Sequence, residues 1–306
     1  MVGAAGVEKE RPDTRLKPGV LTDRYQGKTV LISGGMGYIG SALTQAFSQV
    51  DCRLLLLDCS PSSQVISTAA AAEVFHVQGD VTSLETWKGI LEGVDLVFHL
   101  AAFEHKHGSP FDPFRDEEVN ARSTLYLLEA CRSMGVSPRI VFSSSSNLAG
   151  LPATYPVDET FPDQPLTAYA IHKQTSEKYL NYYARVFGIP AVTLRLVNIY
   201  GPVPDLETAG KVVINRIVQK ALKGETLTLY QNHACIRDYL FIDDVVRAFL
   251  AAGVDVPDAR GQYYVIGSGE GMRISEAVHL IAERVEHKTG IEVNIMRNDD
   301  VQIELI

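Results

Sequence analysis

The chain has 306 residues, of which 46% are hydrophobic and 21% charged, so it is long enough for one large globular α/β unit or two joined domains. Its net charge of −9 leaves it without the basic surface that nucleic-acid binding requires, which excludes that class of partner. Apolar runs of membrane-spanning length, a signal-peptide core and CxxC pairs are all missing from the sequence. We therefore expect a cytoplasmic protein with reduced thiols and no membrane partner.

The first predicted elements are a loose N-terminal arm over residues 1–25 and then a strand, a glycine turn and a helix start over Lys28–Gly40. Gly34, Gly37 and Gly40 follow G-x-x-G-x-x-G spacing, which is typical of turns that bind the pyrophosphate of a dinucleotide. A purely structural turn is the alternative. The free amides at the start of the helix would face the phosphates. The residues that this prediction assigns to the cofactor are Gly34, Gly37, Tyr38, Ile39 and Gly40.

A second buried strand, Arg53–Asp58, ends in a carboxylate. Asp58 follows Gly34 by 24 residues (58 − 34), where an acidic residue meets the adenosine ribose hydroxyls of a dinucleotide. A carboxylate there repels the additional phosphate of NADP, and neither Cys59 nor Ser60 supplies an arginine for it. The sequence therefore favours NAD, with a strand-end carboxylate that caps its own loop as the alternative.

Two further strands, Val74–Val81 and Val94–Ala102, continue an alternation with helical spans at intervals of about 25 residues. This alternation predicts βαβ units and a parallel sheet that binds its ligand at the carboxyl ends of the strands. Asp80 closes the first of these strands, and small residues that allow close approach to a ligand end the second. His99 lies inside the second strand, where we interpret it as a hydrogen-bonded core histidine.

The loop Phe103–Asp116 is predicted to line the substrate cleft. It contains His105 and His107, but no third ligand is near them, so no metal site is expected. Asn120 opens the next predicted helix, Ala121–Met134.

The strand Arg139–Asn147 runs into four serines, and hydroxyls at the carboxyl end of a strand are well placed for chemistry. A turn that caps itself is the alternative. Tyr169 and Lys173 follow at a spacing of four, which places them on one face of a helix. A nearby ammonium lowers the pKa of a phenol and makes the phenolate a usable base. Together with the glycine turn, this pattern predicts a catalytic tyrosine and lysine.

The remaining predicted elements form the second part of the chain, with no internal repeat or clean linker. They are the strand Val192–Leu196, the helix Val212–Leu222, the short strand Gly224–Tyr230, the strand and helix over Arg237–Val246 capped by Asp243 or Asp244, the strand Gln262–Gly267 and the helix Ser275–Lys288.

From about Lys28 to Gly269 the chain resembles the extended short-chain dehydrogenases/reductases, in their nucleotide-sugar epimerase/dehydratase branch. The motifs that carry this resemblance are Ser33-Gly34-x-x-Gly37-x-x-Gly40, Asp58, Asp80-Val81, His99-Leu100-Ala101-Ala102, Asn120, the serine strand, Tyr169-x-x-x-Lys173, Leu194-Arg195-x-x-Asn198-x-Tyr200-Gly201-Pro202 and Arg237-Asp238-Tyr239 leading to Asp243-Asp244-Val245.

The resemblance implies a Rossmann-like, doubly wound parallel sheet with a smaller, interleaved C-terminal substrate lobe, and a homodimer. The NAD-binding domain would comprise residues 26–197 and 236–268, and the substrate lobe residues 198–235 and 269–306. The implied catalytic residues are Ser145 (with Ser144 as the alternative), Tyr169 and Lys173. The implied cofactor contacts, beyond the glycine turn, are Asp58, Asp80, Val81, Leu100, Ala101, Ala102, Asn120 and Lys173. The implied substrate contacts are Ser145, Asn198, Arg237 and Arg297.

The chain departs from the family pattern in three places. Ala149 replaces the usual tyrosine before Gly150, so the substrate wall differs there. The segment Ser146-Asn147-Leu148 stands where sugar 4,6-dehydratases carry an Asp-Glu pair, which argues against dehydration. The sequence also ends soon after Arg297, earlier than is usual for the family.

The function that these expectations favour is NAD-dependent epimerisation of a nucleotide-diphosphate sugar at C4, through a transient 4-keto intermediate. One alternative is a reductase or dehydrogenase of a keto-sugar nucleotide, which would consume cofactor stoichiometrically. Another is a non-catalytic, cofactor-binding regulatory protein, which would have no need of the tyrosine and lysine.

Overall fold

The computed structural model describes residues 21–60, 71–103, 112–152, 154–203, 212–254 and 260–298. Strands and helices alternate along most of this length. The strands are β1 (Thr29–Ser33), β2 (Arg53–Asp58), β3 (Glu73–Gln78), β4 (Leu96–His99), β5 (Arg139–Ser145), β6 (Ala191–Leu196), β7 (Asn198–Tyr200), β8 (Leu227–Leu229), β9 (Ile236–Phe241), β10 (Gln262–Ile266), β11 (Gly271–Arg273) and β12 (Ile295–Arg297). The helices are α1 (Tyr38–Phe47), α2 (Leu84–Ile90), α3 (Pro113–Glu117), α4 (Ser123–Met134), α5 (Ala168–Val186), α6 (Val213–Leu222), α7 (Ile242–Gly253) and α8 (Ile274–Thr289).

The central sheet has seven strands in the order β10-β6-β5-β4-β1-β2-β3, and every pairing in it is parallel. Parallel strands need cover on both faces, which explains why β4 and β6 are buried at every residue. The strand order reverses between β1 and β4, and ligands of open α/β sheets bind at such a point. The predicted Rossmann-like, doubly wound sheet is therefore confirmed.

Two apolar clusters cover the two faces of this sheet. One contains Phe47, Phe98 and Phe249, and the other is built around Trp87 and Phe142. Tyr25, at the end of the predicted arm, belongs to the first cluster, and its hydroxyl donates a hydrogen bond to the carbonyl of Leu250 at 2.5 Å. Residues 21–25 therefore pack on the core, while residues 1–20 of the predicted arm lie outside the described ranges.

Two smaller sheets lie beyond the central one. The first has the order β11-β9-β7, with β9 antiparallel to β11 and parallel to β7. The second joins β12 to β8 in parallel, and packs with α6 and α8 around a third apolar cluster. That cluster takes Leu227 from one segment of the predicted substrate lobe and Val278 and Val285 from the other.

The sequence-based prediction placed the ends of two strands too late. The strand predicted over Val74–Val81 ends at Gln78, because Asp80 turns back to accept hydrogen bonds from Thr82. The strand predicted over Val94–Ala102 covers only Leu96–His99. The last residues of the two predicted strands, in the position where such folds bind ligands, therefore belong to the loops after the strands.

The start of α7 also differs from the prediction that Asp243 or Asp244 caps it. The N-cap residue is Phe241, without a side-chain hydrogen bond, and both aspartates lie in the first turn. They can still stabilise the helix there, since negative charge is favourable near a helix N-terminus.

Candidate active site

The glycine turn between β1 and α1 is closed by contacts that leave no room for a side chain at Gly34. Its φ is 71°, and a Cβ atom there would lie 2.9 Å from the amide nitrogen of Ala101. The amides of Gly34 and Gly35 donate to the carbonyl of Leu57, at 2.8 and 3.3 Å. The backbone of the turn therefore lies against the loop after β4, at the surface of the cleft. Only glycine permits so close an approach.

The N-terminus of α1 is not capped by a side chain. Gly37 is the N-cap residue and, like any glycine, it offers no side-chain acceptor to the first-turn amides. These amides and the positive end of the helix dipole favour an anion such as a pyrophosphate. Tyr38, Ile39 and Gly40 form the first turn of the helix, where the sequence predicted them.

Asp58, the last residue of β2, adjoins this turn. Its two carboxylate oxygens accept hydrogen bonds from the amides of Met36, at 3.1 Å, and Ser60, at 3.0 Å. The carboxylate is therefore held at the edge of the glycine turn, as expected for a group that meets ribose hydroxyls.

Asp80 lies in the loop after β3, where its Oδ1 accepts from the amide and hydroxyl of Thr82 at 2.9 and 2.8 Å. Partial burial acts to raise the pKa of Asp80, but these hydrogen bonds and the nearby Arg115 outweigh it and lower the pKa. Val81 is buried, and its carbonyl accepts from the indole of Trp87 at 2.9 Å. The loop is thus held in place, and the Asp80 carboxylate stays ionised.

The residues that follow β4 form a wall beside the glycine turn. The amide of Leu100 donates to the Ser33 carbonyl at 3.1 Å, and that of Ala101 to the Ser33 hydroxyl at 3.4 Å. Ala102 is exposed. These bonds hold Leu100 and Ala101 beside the glycine turn. The contacts of residues 100–102 with the cofactor stay a prediction.

Asn120 supports this wall from behind. It is 1% exposed and lies in a π-helical turn, Glu118–Arg122, that precedes α4. Its amide group donates to the carbonyl of Phe103 at 2.6 Å and accepts from the amide of the same residue at 3.1 Å. Both ends of the side chain are therefore bonded to the backbone of Phe103, beside the cofactor wall. The contact of Asn120 with the cofactor stays a prediction.

Together these features fit a dinucleotide. The cradle at Gly34 excludes a Cβ atom, the α1 N-terminus offers uncapped amides to a pyrophosphate, and Asp58 stands where the adenosine ribose would lie. NAD suits this donor set better than NADP, because a carboxylate meets the ribose.

Two neighbouring serines at the end of β5 point in opposite directions, as side chains of a strand must. Ser144 is buried, and its hydroxyl donates to Glu177 at 2.6 Å. Ser145 is partly exposed, and its hydroxyl accepts from the amide of Asn147 at 3.2 Å. Of the two serines considered from the sequence, only Ser145 has a hydroxyl available to a substrate.

Tyr169 and Lys173 lie on the first two turns of α5, which Thr167 caps by accepting from the amide of Ala170 at 3.1 Å. The Lys173 ammonium is 5.6 Å from the centre of the Tyr169 ring and donates to the Ser143 carbonyl at 3.0 Å. Lys173 is 1% exposed, and burial lowers its pKa to about 8, against the opposing charges of Asp116 and Glu177. The helix therefore sets a cation beside a phenol at the carboxyl end of β5.

A buried ion-pair network behind this site was not recognised from the sequence. Arg195 donates to Asp163 and to Glu177, both at 2.6 Å, and its guanidinium stacks on the ring of Tyr263. Glu177 also accepts the hydrogen bond of Ser144, so the network links β5, β6 and α5. The only sequence signal was the position of Glu177, four residues after Lys173 on the same helix.

His99 is a core residue, as predicted. Its ring lies between the hydroxyls of Ser33, at 2.7 Å, and Thr124, at 3.2 Å. Thr124 in turn accepts a hydrogen bond from Ser176 at 2.8 Å. The histidine therefore connects β1, β4, α4 and α5 within the sheet and its helical cover.

On the other side of the cleft, Asn198 and Arg237 share one face of the β11-β9-β7 sheet. Asn198 of β7 pairs with Tyr239 of β9, and Arg237 lies two residues before Tyr239 on β9. Residues two apart on a strand face the same side of a sheet. Arg297 is elsewhere, on β12, where it pairs with Leu229. Of the four predicted substrate residues, Asn198 and Arg237 therefore share this small sheet, Arg297 lies on another, and Ser145 lies at the end of β5.

His105, Lys106 and His107 lie outside the described residues. Within the described ranges, no group of three His, Cys, Asp or Glu side chains could hold a metal ion. Over the same ranges, no helix is long and apolar enough to span a membrane.

Residues 30–267 match the model of the NAD-dependent epimerase/dehydratase family. This match covers well over half of the chain, which therefore belongs to that family, an extended branch of the short-chain dehydrogenases/reductases. The resemblance inferred from the motifs is confirmed.

Relatives with stated activities fall within the same family. The chain is 33% identical to the UDP-glucose 4-epimerase of Mycolicibacterium smegmatis over 245 residues, which cover 78% of this chain and 77% of that protein. It is 28% identical to a putative UDP-glucose 4-epimerase of Methanocaldococcus jannaschii over 84% of this chain and 82% of that one.

Two solved structures are similar over nearly the whole chain. The UDP-glucose 4-epimerase of Thermotoga maritima, solved with UDP-glucose, aligns with a TM-score of 0.75 at 28% identity, covering 89% of this chain and 87% of that one. The UDP-glucose 4-epimerase of Thermus thermophilus, solved with NAD, aligns with a TM-score of 0.73 at 28% identity, covering 90% and 88%.

Proposed function

We propose that the chain is an NAD-dependent epimerase of a nucleotide-diphosphate sugar, which inverts the C4 centre through a transient 4-keto intermediate. The observation that carries this proposal is the position of Lys173, which bonds to the carboxyl end of β5 and has Tyr169 beside it on the same face of α5. The fold around them has a dinucleotide-type glycine turn. The relatives and structural neighbours named UDP-glucose 4-epimerases support the same activity.

NAD would lie with its pyrophosphate at the N-terminus of α1 and its adenosine ribose at Asp58. When bound, it takes a hydride from the sugar carbon and later returns it. The chain would hold it through the glycine turn, the loop after β3, the wall after β4 and Lys173. The proposed contacts are Gly34, Gly37, Tyr38, Ile39, Gly40, Asp58, Asp80, Val81, Leu100, Ala101, Ala102, Asn120 and Lys173.

Tyr169 would act as the base and then the acid for one sugar hydroxyl. Its phenolate takes the hydroxyl proton as the carbonyl forms, and gives the proton back when the opposite face of that carbonyl is reduced. The ammonium of Lys173 favours the phenolate by its positive charge. The Ser145 hydroxyl would donate a hydrogen bond to the same sugar oxygen and hold it in line with Tyr169.

The substrate's diphosphate would be gripped by Arg237, because a guanidinium fork matches the oxygens of a phosphate. Its Nη1 donates to the neighbouring Ile236 carbonyl at 3.1 Å, an exposed contact that a ligand can replace. Asn198 would contact the nucleotide sugar from the adjacent strand, and Arg297 remains a further candidate from β12. A firm grip on the diphosphate leaves the keto-sugar free to turn over between the two hydride transfers.

The segment that carries an Asp-Glu pair in sugar 4,6-dehydratases carries no carboxylate here, which argues against elimination of water. The 3₁₀ turn after Ser145 is Ser146–Ala149, which carries no carboxylate to act as acid or base. A reductase would consume one nicotinamide per turnover, so stable nicotinamide absorbance during interconversion of two C4 epimers supports an epimerase. A steady change in that absorbance would instead support a reductase.

Replacing Tyr169 by Phe tests the proposal. We expect turnover to fall by about a thousandfold, within the range typical of losing a general acid/base, while NAD affinity is retained. Turnover is measured with UDP-glucose and other nucleotide sugars, and NAD binding by calorimetry. Full activity in Tyr169→Phe would show that another group moves the proton.

We also propose that the protein is a cytoplasmic homodimer. The four cysteines are free thiols, as is typical of a reducing compartment. Helix α5 exposes Ile171 and Tyr182, apolar surface that could pair across a two-fold axis with the same helix of a second copy. Light scattering that gave a monomeric mass would contradict the homodimer.

A further inference from the structure

A buried cluster joins the catalytic helix to the short helix α3. The Asp116 carboxylate, on α3, is 3% exposed and its Oδ1 accepts two hydrogen bonds. One comes from Nδ1 of His172 at 2.6 Å, and the other from the amide of Asn120 at 2.9 Å. On α5, His172 follows Tyr169 by three residues and immediately precedes Lys173, so the cluster contacts the catalytic helix next to both residues.

The same cluster reaches the cofactor wall through Asn120. That residue is bound to both backbone groups of Phe103, which follows the wall residues 100–102. A continuous set of hydrogen bonds therefore runs from the wall, through Asn120 and Asp116, to His172 on α5. Displacing Asp116 would loosen the wall and the catalytic helix at once.

Asp116 contacts α5 through His172, the residue before Lys173, and its negative charge favours the Lys173 ammonium. Burial disfavours an ammonium in this position, and nearby negative groups and acceptors oppose that effect. Glu177 is one of these groups, but it is already paired with Arg195. Among the described residues, Asp116 accepts hydrogen bonds from His172 and Asn120 and from no arginine or lysine, so it is the less compensated of the two carboxylates.

Every element packed around Lys173 contributes to its surroundings. The charged or titratable groups that face it are Asp116 from α3, His99 from β4, and Tyr169, His172 and Glu177 from α5, with Arg195 of β6 behind Glu177. The Ser143 carbonyl and the Phe142 ring face it from β5. His99 is neutral in its buried site, so the two carboxylates are the negatively charged groups that favour the ammonium, beside the Ser143 carbonyl and the Phe142 ring.

We infer that Asp116 is a positioning residue that keeps Lys173 in its ammonium form and, through His172 and Asn120, fixes α5 against the cofactor wall. This inference rests on the proposed function for its effect on turnover, but not for its effect on Lys173. No motif in the sequence indicated this role for Asp116 or His172.

The test is a direct titration of Lys173 in the cofactor-free protein. Lysine side chains are carbon-labelled, and the Cε resonance of Lys173 is identified by its loss in Lys173→Met. Asp116→Asn keeps an oxygen that can accept both hydrogen bonds but removes the charge. We expect it to lower the titration midpoint of Lys173 by about one pH unit, a tenfold change in the ratio of ammonium to amine at a given pH.

Two substitutions of His172, one charged and one neutral, serve as a matched pair. His172→Arg places a fixed positive charge against Asp116, so it should lower the same midpoint even if Asp116→Asn fails to fold. His172→Gln introduces no charge and should leave the midpoint in place. Asp112→Ala removes the N-cap of α3, whose side chain accepts from the Arg115 amide at 3.0 Å. It should lower thermal stability with no change in the midpoint.

Turnover supplies a second readout. In the wild type, activity should decline on the alkaline side as Lys173 loses its proton, and in Asp116→Asn this decline should begin about one pH unit lower. Equal midpoints in wild type, Asp116→Asn and His172→Arg would overturn the inference. If no nucleotide sugar is turned over, the proposed function fails, but the titration still decides the role of Asp116.

Discussion

At the scale of single residues, β5 shows how a strand divides two like side chains between structure and chemistry. Ser144 faces the interior and hydrogen-bonds to Glu177, which also binds Arg195. Ser145 faces the cleft at the same end of the strand. The alternation of side chains, with no difference in residue type, places one hydroxyl in an ion-pair network and leaves the other open to the cleft, where we propose that it binds the substrate.

Replacing each serine by alanine should separate these roles. Ser145→Ala should lower turnover by about a hundredfold, as loss of a donor to the reacting oxygen does, and leave stability nearly unchanged. Ser144→Ala should cost about 1–3 kcal/mol of unfolding free energy, because Glu177 loses a buried partner. Turnover assays and urea unfolding of both variants distinguish the catalytic serine from the structural one. The reverse pattern would identify Ser144 as the catalytic serine.

At the scale of elements, the β1–α1 turn is the unit on which the cofactor site depends. Its backbone passes within van der Waals distance of the loop after β4, and both connect to neighbouring strands of the sheet. A rigid turn of this kind presents the helix N-terminus to the ligand without further ordering on binding.

Gly34→Ala tests this arrangement against Gly93→Ala as its control. Both glycines have a φ near 70°, at 71° and 72°, but a Cβ atom at Gly93 meets nothing within 4 Å. Gly93→Ala should therefore cost about 1–2 kcal/mol of stability, from backbone conformation alone, and keep its affinity for NAD. Gly34→Ala should cost more and lose NAD binding, because the Ala101 backbone must move. Equal NAD affinities, measured by calorimetry, would refute this role of the turn.

At the scale of the whole molecule, polar contacts between distant segments cross the buried sheet. The ring of His99 joins β1 to α4, and Thr124 extends the contact to α5. Burial, with a smaller effect from the Lys173 charge, lowers the pKa of His99 to about 3. In the unfolded chain the same histidine would titrate near its usual value of about 6.5.

This difference predicts a loss of stability in acid. Below pH ~6.5 the unfolded state binds a proton that the folded state does not accept until about pH 3, so stability falls as the pH is lowered through that window. The contribution of one such group is at most about 1.4 kcal/mol per pH unit. His99→Gln should be less stable at neutral pH but lose stability less steeply, as measured by urea unfolding at a series of pH values. Parallel curves for the two proteins would exclude His99 as the source.

The fold and much of the candidate site were predictable from local patterns. The strand, glycine turn and helix around Gly34 follow from a buried apolar run and glycine spacing, and helical periodicity alone places Tyr169 beside Lys173. Strands such as Arg53–Asp58 were predicted to the residue, because their apolar composition and bounding turns are encoded within the segment itself.

Other features depend on contacts between segments far apart in the chain. The ends of β3 and β4, the supporting role of Asn120, the pairing of Arg195 with Glu177 and Asp163, and the cluster of Asp116 with His172 all arise from such contacts. A buried polar group must find a partner wherever the fold places one, and no spacing in the sequence specifies which residue that is. Local sequence therefore identifies the groups that perform the proposed chemistry, whereas the assembled sheet and its helices select the groups that hold them in place.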